Sequence, residues 1–439
     1  MKLTVIGCGY LGATHAACMA ELGHEVLGMD SDMDKVATLN SGKAPFHERD
    51  LDDLLAKHTA SGHLTFTASY AEAAAFGELH FIGVGTPQQP GGHAYDLSHL
   101  FAAVRQLAFR LKNPAVIAVK STVPVGTASR VRDLLHEHAP AGNAVEVAWN
   151  PEFLRESFAI EDTLRPDRLV LGFESEHSWA EAVLRQCFEK IIESGTPTIV
   201  TDWATAELAK ASANAFIATK ISFINAIAEV CEASGADVIT LADILGHDAR
   251  IGRRSMRPGL GFGGGCLPKD IRGFMARADE LGVDQALAIL REVDAINNRR
   301  RERMVDLARQ QLDGTLMGKR ITVWGAAFKP NTDDIRDSPA LAVAQKLHDL
   351  GAMVTVTDPQ AIDNARKTHP ELDYVDDPVA AVQDADLLLH LTEWPQFSYV
   401  DPHKLAARAA SPKVIDGRGV LNPTTWRAAG WTFRALGRP

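Results

Sequence analysis

The chain opens on a short apolar run at residues 3–6, breaks into Gly7, Gly9 and Gly12, and continues as small apolar residues to Ala20. A run of that length reads as a buried strand, and the small-residue stretch after the glycines as a helix. Further strand-length apolar runs lie at 25–29, 79–84, 115–119, 145–148 and 169–172, with helix-like stretches between several of them. This alternation predicts an α/β fold whose doubly wound, mostly parallel sheet covers residues 1 to about 195. From 204 to 234 the pattern becomes an unbroken stretch rich in Ala and Ile, with Asp202 ahead of it as a cap and Gly235 behind it as a stop. It predicts one long helix. Helical sequence resumes at 237–245 and 271–312, on either side of a glycine-rich segment at 257–270. Strand and helix return at Gly318, with strands ahead of Gly325 and Asp358 and at 385–391 and 413–415, and a helix over 340–350.

The first turn has the form G-C-G-Y-L-G, residues 7–12, between strand and helix, and Asp30 ends the next strand eighteen residues beyond Gly12. That order is the dinucleotide fingerprint: pyrophosphate sits on the helix N-terminus and the carboxylate accepts hydrogen bonds from a ribose diol. The turn residues Gly7, Gly9, Tyr10, Leu11 and Gly12, together with Asp30, are therefore the expected cofactor seat. An acidic residue there repels a 2′-phosphate and favours NAD over NADP, while Lys35 is a countervailing charge that reads equally well as a solvated helix lysine. The second lobe repeats the first in outline, but its glycine pattern decays to Gly325-Ala326-Ala327, which predicts a related sheet holding a different ligand. The whole reads as two Rossmann-like doubly wound parallel-sheet domains, residues 1–200 and 316–439, joined by a central helical region, residues 201–315.

Composition narrows the partners. Among 439 residues, Lys and Arg total 45 against 56 Asp and Glu, a net charge of −11, so no broad attraction for nucleic acid or anionic lipid is expected. An anionic ligand needs a local positive pocket. The five cysteines form no C-x-x-C pair, so neither a disulfide framework nor a metal site is expected, and a reducing cytoplasm fits best. No run of about eighteen apolar residues marks a membrane span. Lys2 ahead of residues 3–20 imitates a secretory leader, but the same residues fit a strand, glycine turn and helix, which is the expectation adopted.

The segment R-P-G-L-G-F-G-G-G-C-L-P-K-D, residues 257–270, is the most informative in the chain. Its five glycines allow a backbone to approach a ligand closely, and they deliver Cys266 where Pro268 marks the start of a helix. A thiol at a helix N-terminus with Lys269 nearby is expected to be nucleophilic, and Asp270, four residues on, is in reach as a base or water-orienting group. Cys8, Cys18, Cys187 and Cys231 read as buried small hydrophobes. On the long helix, Lys210 and Asn214 share a face among Ala, Ile and Phe; they read either as an oxyanion-stabilising pair or as a snorkelling lysine and a packing asparagine.

Several motifs in this order closely resemble the UDP-glucose/GDP-mannose dehydrogenase family: G-C-G-Y-L-G (7–12), V-G-T-P (84–87), S-T-V-P-V-G-T (121–127), N-P-E-F-L-R-E (150–156), Lys210 with Asn214, F-G-G-G-C-L-P-K-D (262–270) and F-K-P-N-T-D-D-I-R-D-S (328–338). The resemblance covers nearly the whole chain. It implies NAD-dependent, four-electron oxidation of a nucleotide-sugar C6 alcohol to a carboxylate, with Cys266 carrying a thiohemiacetal and then a thioester. UDP-glucose is the expected substrate, with GDP-mannose and UDP-N-acetylmannosamine as alternatives. By the same resemblance Lys210 and Asn214 stabilise the oxyanion, Asp270 and Thr122 position water, and Glu152 assists proton transfer. Thr86, Thr122, Glu156, Asp30, Lys35 and Arg336 fall on cofactor positions. Glu152, Phe153, Leu154, Arg155, Lys210, Asn214, Phe262, Gly263, Lys329 and Arg418 fall on substrate positions. Arg250 matches an arginine contributed across a subunit interface, which implies a homodimer.

One departure bears on specificity: Ser255 stands where the family usually has an aromatic residue, and Gly265 stands where many members have serine. Two other classes remain open at this point. A two-electron hydroxyacid-type dehydrogenase has no need of Cys266, and a nucleotide-sugar sensor has no use for a nucleophile.

Overall fold

Strand β1 (Lys2–Ile6) is buried from its second residue on, which is why it reads as an unbroken apolar run rather than an alternating one. It is an inner strand of a sheet that also contains β2 (Glu25–Met29), β3 (Leu64–Thr67), β4 (Leu79–Ile82), β5 (Ala115–Val119), β6 (Val145–Trp149), β7 (Leu169–Phe173) and β8 (Thr198–Asp202). The spatial order is β3-β2-β1-β4-β5-β6-β7-β8. All neighbours are parallel except β6 and β7, which meet antiparallel at Trp149 and Gly172. The structure is a computed structural model and describes residues 1–175 and 178–438.

Helix Tyr10–Glu21 is buried from Gly12 to Ala20, and its Ala, Cys and Gly side chains let it lie close against the sheet. Two strands escape the apolar-run reading. β3, L-T-F-T, alternates because only one face is covered, and β8 is a largely exposed edge strand.

A second sheet, wholly parallel, is built from β9 (Arg320–Trp324), β10 (Met353–Thr357), β11 (Asp373–Tyr374), β12 (Leu387–His390), β13 (Lys413–Asp416) and β14 (Thr432–Ala435), in the order β11-β10-β9-β12-β13-β14. Its core includes Trp324, Trp394, Phe397 and Trp426. In both sheets the strand order reverses beside the first strand, between β1 and β4 and between β9 and β12, and such reversals open a crevice at the carboxyl ends of the strands.

The long helix runs Trp203–Ser234. The Asp202 carboxylate accepts the Thr205 amide at 2.9 Å as its cap, and Gly235, at φ +77°, stops it. By length and composition alone this helix could cross a membrane. Two of its polar side chains are committed inside the protein: Ser222 donates to the Val293 carbonyl at 2.7 Å and Asn225 accepts the Gly259 amide at 2.8 Å. The helical sequence at 271–312 is two helices, Leu267–Glu280 and Ala288–Gln311, because Gly282 adopts φ +73° and a 3₁₀ turn at Asp284–Leu287 intervenes.

The chain divides into two compact units, one of residues 1–213 and 272–282 and one of residues 214–271 and 283 onward. The residues of the expected central helical region are divided between these two units.

Candidate active site

In the first unit, the turn after β1 has the geometry of a phosphate seat. Gly7 adopts φ +87°, and a Cβ on Gly12 would lie 1.9 Å from the Gly7 carbonyl oxygen, so neither position takes a side chain without moving backbone. A Cβ on Gly9 meets nothing within 4 Å, which leaves the approach to the helix N-terminus open. At the end of β2, Asp30 Oδ2 accepts the Cys8 amide at 2.9 Å and faces Lys35 Nζ at 3.0 Å, and Oδ1 accepts the Asp32 amide at 3.0 Å. The turn, the helix and the carboxylate fit a dinucleotide's pyrophosphate and ribose, and Lys35 is an ion-pair partner of Asp30 rather than a solvated charge.

Loops after β4, β5 and β6 converge on this crevice. Thr86 Oγ1 donates to the Thr122 carbonyl at 2.7 Å, fastening the first two together. Past β6, Glu152 Oε2 lies 3.6 Å from Lys210 Nζ, and both side chains are largely buried. The Phe153 ring has the Arg168 guanidinium 3.8 Å from its centroid and Lys210 Nζ at 5.8 Å. Leu154 is half-buried and Glu156 buried. Arg155 holds Asp162 through two side-chain bonds of 2.6 and 2.8 Å and lies over Phe158.

Three further residues in this unit were not singled out by sequence. Glu48 is buried, receives the Tyr10 hydroxyl, and accepts the Ser157 and Ala159 amides at 2.7 and 2.9 Å, tying the glycine turn to the loop past Glu156. Glu207 accepts the Gly126 and Ala128 amides at 2.7 and 2.6 Å and so caps helix Thr127–His138; burial raises its pKa above the usual carboxylate value despite those bonds. Lys120 is buried at the end of β5, where desolvation lowers its pKa to about 8. A lysine terminating an all-apolar strand, A-V-I-A-V-K, was the available signal for it.

In the second unit, Cys266 immediately precedes helix Leu267–Glu280, its carbonyl accepting the Asp270 amide at 2.9 Å, and its side chain is exposed. The other four cysteines are buried. Burial drives Cys18 and Cys187 up to about 12, Cys8 further, and Cys231 upward as well. Asp270 is fully buried, with Oδ2 accepting from Asn214 Nδ2 and Oδ1 from Lys269 Nζ, both at 2.6 Å. Asn214, Lys269 and Asp270 are thus brought together under the helix that Cys266 begins.

The glycines of this loop serve the protein's own packing. Gly264, at φ +82°, donates its amide to the Arg336 carbonyl at 2.8 Å, and a Cβ on it would meet the Phe328 ring at 2.7 Å. A Cβ on Gly265 would meet the Arg336 guanidinium at 2.3 Å. The close approach expected of these glycines is therefore filled by neighbouring side chains and backbone. Arg336 itself grips Asp334 through bonds of 2.7 to 3.0 Å. A Cβ on Gly263 would lie 2.3 Å from the Asp337 carbonyl oxygen, and Phe262 is buried, its amide and carbonyl both held by the Asn297 side chain. Arg418 is a bolt between loop and sheet, donating to the carbonyls of Leu391, Gly261 and Phe328 at 2.6, 3.2 and 3.2 Å beside Glu393. Lys329 Nζ lies 5.4 Å from the centroid of the Phe328 ring. Arg250 is exposed on Asp248, and Ser255 has a left-handed backbone at φ +62°. Among the described residues no cluster suited to a metal ion occurs.

Comparison with known proteins agrees with the arrangement. Residues 1–192, 204–299 and 322–423 match, in turn, the NAD binding, central and UDP binding domains of one dehydrogenase family. Over its full length the chain is 41% identical to a UDP-glucose 6-dehydrogenase of Rhizobium meliloti, covering all of both chains, and 38% identical to one of Pseudomonas aeruginosa, covering all of this chain and 98% of the relative. A solved UDP-glucose dehydrogenase from Pyrobaculum islandicum superposes with a TM-score of 0.92 at 36% identity, with 100% of this chain and 98% of that one covered. A fingerprint turn with its acidic partner, an exposed thiol heading a helix, and end-to-end similarity thus converge: the chain is an NAD-dependent oxidoreductase and belongs to the UDP-glucose/GDP-mannose dehydrogenase family.

Proposed function

We propose that this enzyme oxidises UDP-glucose at C6 to UDP-glucuronate through covalent intermediates on Cys266. The observation that carries the reading is the exposed Cys266 thiol at the head of helix Leu267–Glu280, in a chain similar over its whole length to enzymes named for that substrate. When bound, NAD supplies the hydride acceptor for each of the two oxidations.

The first oxidation turns the C6 alcohol into an aldehyde, with Glu152, beside Lys210, taking up the hydroxyl proton. The Cys266 sulfur then adds to the aldehyde carbon and gives a thiohemiacetal, because an aldehyde has no hydride to surrender until a nucleophile has added. The Lys210 ammonium and the Asn214 amide, one turn apart on the same helix, hold the oxygen that becomes negative. Loss of a second hydride leaves a thioester. Water positioned by Asp270 and Thr122 attacks the carbonyl carbon, the carbon–sulfur bond breaks, and carboxylate and thiol separate.

Tyr10, Leu11, Asp30, Lys35, Thr86, Glu156 and Arg336 serve the cofactor. Phe153, Leu154, Arg155, Phe262, Gly263, Lys329 and Arg418 serve the nucleotide sugar. The enzyme works as a homodimer with Arg250 reaching the neighbouring subunit; support comes from Phe216, Phe223 and Val230, exposed at seven-residue intervals along the long helix, an apolar stripe suited to a second copy.

The test is to count NADH formed per UDP-glucose consumed. Two per sugar, abolished by Cys266→Ser, is the expected result. Two per sugar with only GDP-mannose or UDP-N-acetylmannosamine moves the substrate, with Ser255 the first residue to examine. A ratio of one, unchanged in Cys266→Ser, removes the thioester altogether.

A further inference from the structure

Lys120 follows β5 and Asn150 follows β6, and since these strands pair with Val119 opposite Trp149, the two residues lie side by side at the carboxyl edge of the sheet. Lys120 Nζ donates to Asn150 Oδ1 at 2.7 Å, and Asn150 Nδ2 donates to the Val170 carbonyl at 3.0 Å. The amide is thereby fixed at both ends, with its oxygen toward the lysine. Among the described residues no carboxylate lies within ion-pair distance of Lys120; the Phe81 and Phe188 rings flank it at 5.7 and 6.0 Å. Burying an ammonium against an amide and two rings is costly, whereas an apolar side chain of similar length would fill the space at no such cost. The charge therefore points to a role beyond packing.

Asn150 leads into Pro151 and Glu152. Pro151 is buried and its φ is restricted by its ring, so an anchor at Asn150 carries stiffly to the residue two places on. That residue is Glu152, which faces Lys210 at 3.6 Å, and its neighbour Phe153 lies between Arg168 and Lys210. We infer that Lys120 is a positioning residue for the reaction: it fastens Asn150, and through Asn150 and Pro151 it sets where Glu152 meets Lys210.

The titratable groups around Lys120 fit a site built to hold one proton-bearing cation. Glu152 from the loop favours its charge and Lys210 from the long helix opposes it, while Cys187 from helix Trp179–Cys187 stays a neutral thiol at neutral pH. His15, from helix Tyr10–Glu21, is held neutral by burial and by Lys120 itself. Lys120 is thus the cation nearest the base of the loop, and Asn150 is its hydrogen-bond acceptor.

This inference rests on the proposed role of Glu152, and its test separates the two. With whichever nucleotide sugar the wild type oxidises, Lys120→Met should lower kcat about 10- to 100-fold, the scale of an ångström of misplacement, with KM for NAD unchanged. Asn150→Ala should do the same, and the double variant should be no worse than either single one, whereas Lys120→Arg should recover part of the loss. A crystal structure of Lys120→Met, which needs no activity, should show the 150–153 loop displaced and the Glu152–Lys210 pair opened. Additive losses in the double variant, an undisturbed loop, or a lowered melting temperature with unchanged kcat would each overturn the inference. If Lys120→Met does not fold, Asn150→Ala with Lys120 in place carries the same kinetic and structural readouts. Wild-type inactivity on UDP-glucose bears on the substrate and leaves the crystallographic comparison intact.

Discussion

The two sheets are variations on one design, and they differ in what becomes of the aspartate at the end of the second strand. In the first sheet Asp30 takes two backbone amides and one lysine, beside a glycine turn with an open approach. In the second, Asp358 takes five donors: the amides of Ala326 and Ala327 and the Trp394 indole on Oδ2, and the amides of Gln360 and Ala361 on Oδ1. The same position in the same fold takes three donors beside an open turn in one sheet and is a five-donor structural hub in the other, where the Trp394 indole occupies one of the carboxylate oxygens. A neighbouring hub, Asp416, receives His390 Nδ1 and the amides of Arg418, Gly419, Val420 and Leu421. Buried charge in the second sheet is saturated with donors; in the first, Asp30 and Lys120 keep capacity in reserve.

The largest effect expected from this contrast is at Gly12. Gly12→Val forces a side chain against the Gly7 carbonyl and should abolish NAD binding in a calorimetric titration; retained affinity would mean that the turn is not the pyrophosphate seat. Next comes the pair of aspartates. Asp358→Ala strands several buried donors and should destabilise the protein by about 3–5 kcal/mol in urea unfolding, whereas Asp30→Ala, which strands the one buried amide of Cys8, should cost about 1–2 kcal/mol and weaken NAD about 10- to 100-fold. Equal losses of stability would erase the distinction between the sheets.

The smallest effects are pH slopes of opposite origin. Lys120 has a folded pKa of about 8, below the ordinary lysine value, so from there up to about 10.5 the unfolded chain binds more protons than the folded one. Stability contributed by this group rises with pH across that window, by at most about 1.4 kcal/mol per pH unit, and the slope should vanish in Lys120→Met. For Asp416, burial alone would raise the pKa, but the His390 bond and charge and the backbone amides outweigh it and hold the carboxyl below its usual value. Its contribution is present above pH about 4 and is lost as pH falls through the folded value. Asp416→Asn should flatten the acid limb of unfolding without touching the alkaline one.

Much of this contrast was legible in the chain. The glycine turn, Asp30, the long helix and its stop at Gly235, and Cys266 ahead of a helix all follow from local rules, because each depends on residues within a few turns of one another. The decay of the second fingerprint to Gly325-Ala326-Ala327 signalled that the second sheet differs, but the reason lies in Trp394, which is distant in sequence and reaches Asp358 only through the fold. Lys120, Glu48 and Glu207 were missed for the same reason: each acts on backbone or side chains that are far away along the chain. The strand Leu64–Thr67 and the edge strand Thr198–Asp202 lacked the apolar continuity that marks a strand covered on both faces. The glycines around Cys266 were read as room for a ligand's close approach, but the groups that crowd them, Phe328 and Arg336, come from another part of the chain.

The distribution of the five thiols has a practical consequence. Four are enclosed and held in the protonated form at neutral pH, while Cys266 stands exposed where a helix begins. An electrophile such as iodoacetamide, given under native conditions, therefore meets one accessible thiol per chain. Alkylation becomes a stoichiometric titrant of folded enzyme, and a sugar-mimicking warhead has a single address on the molecule.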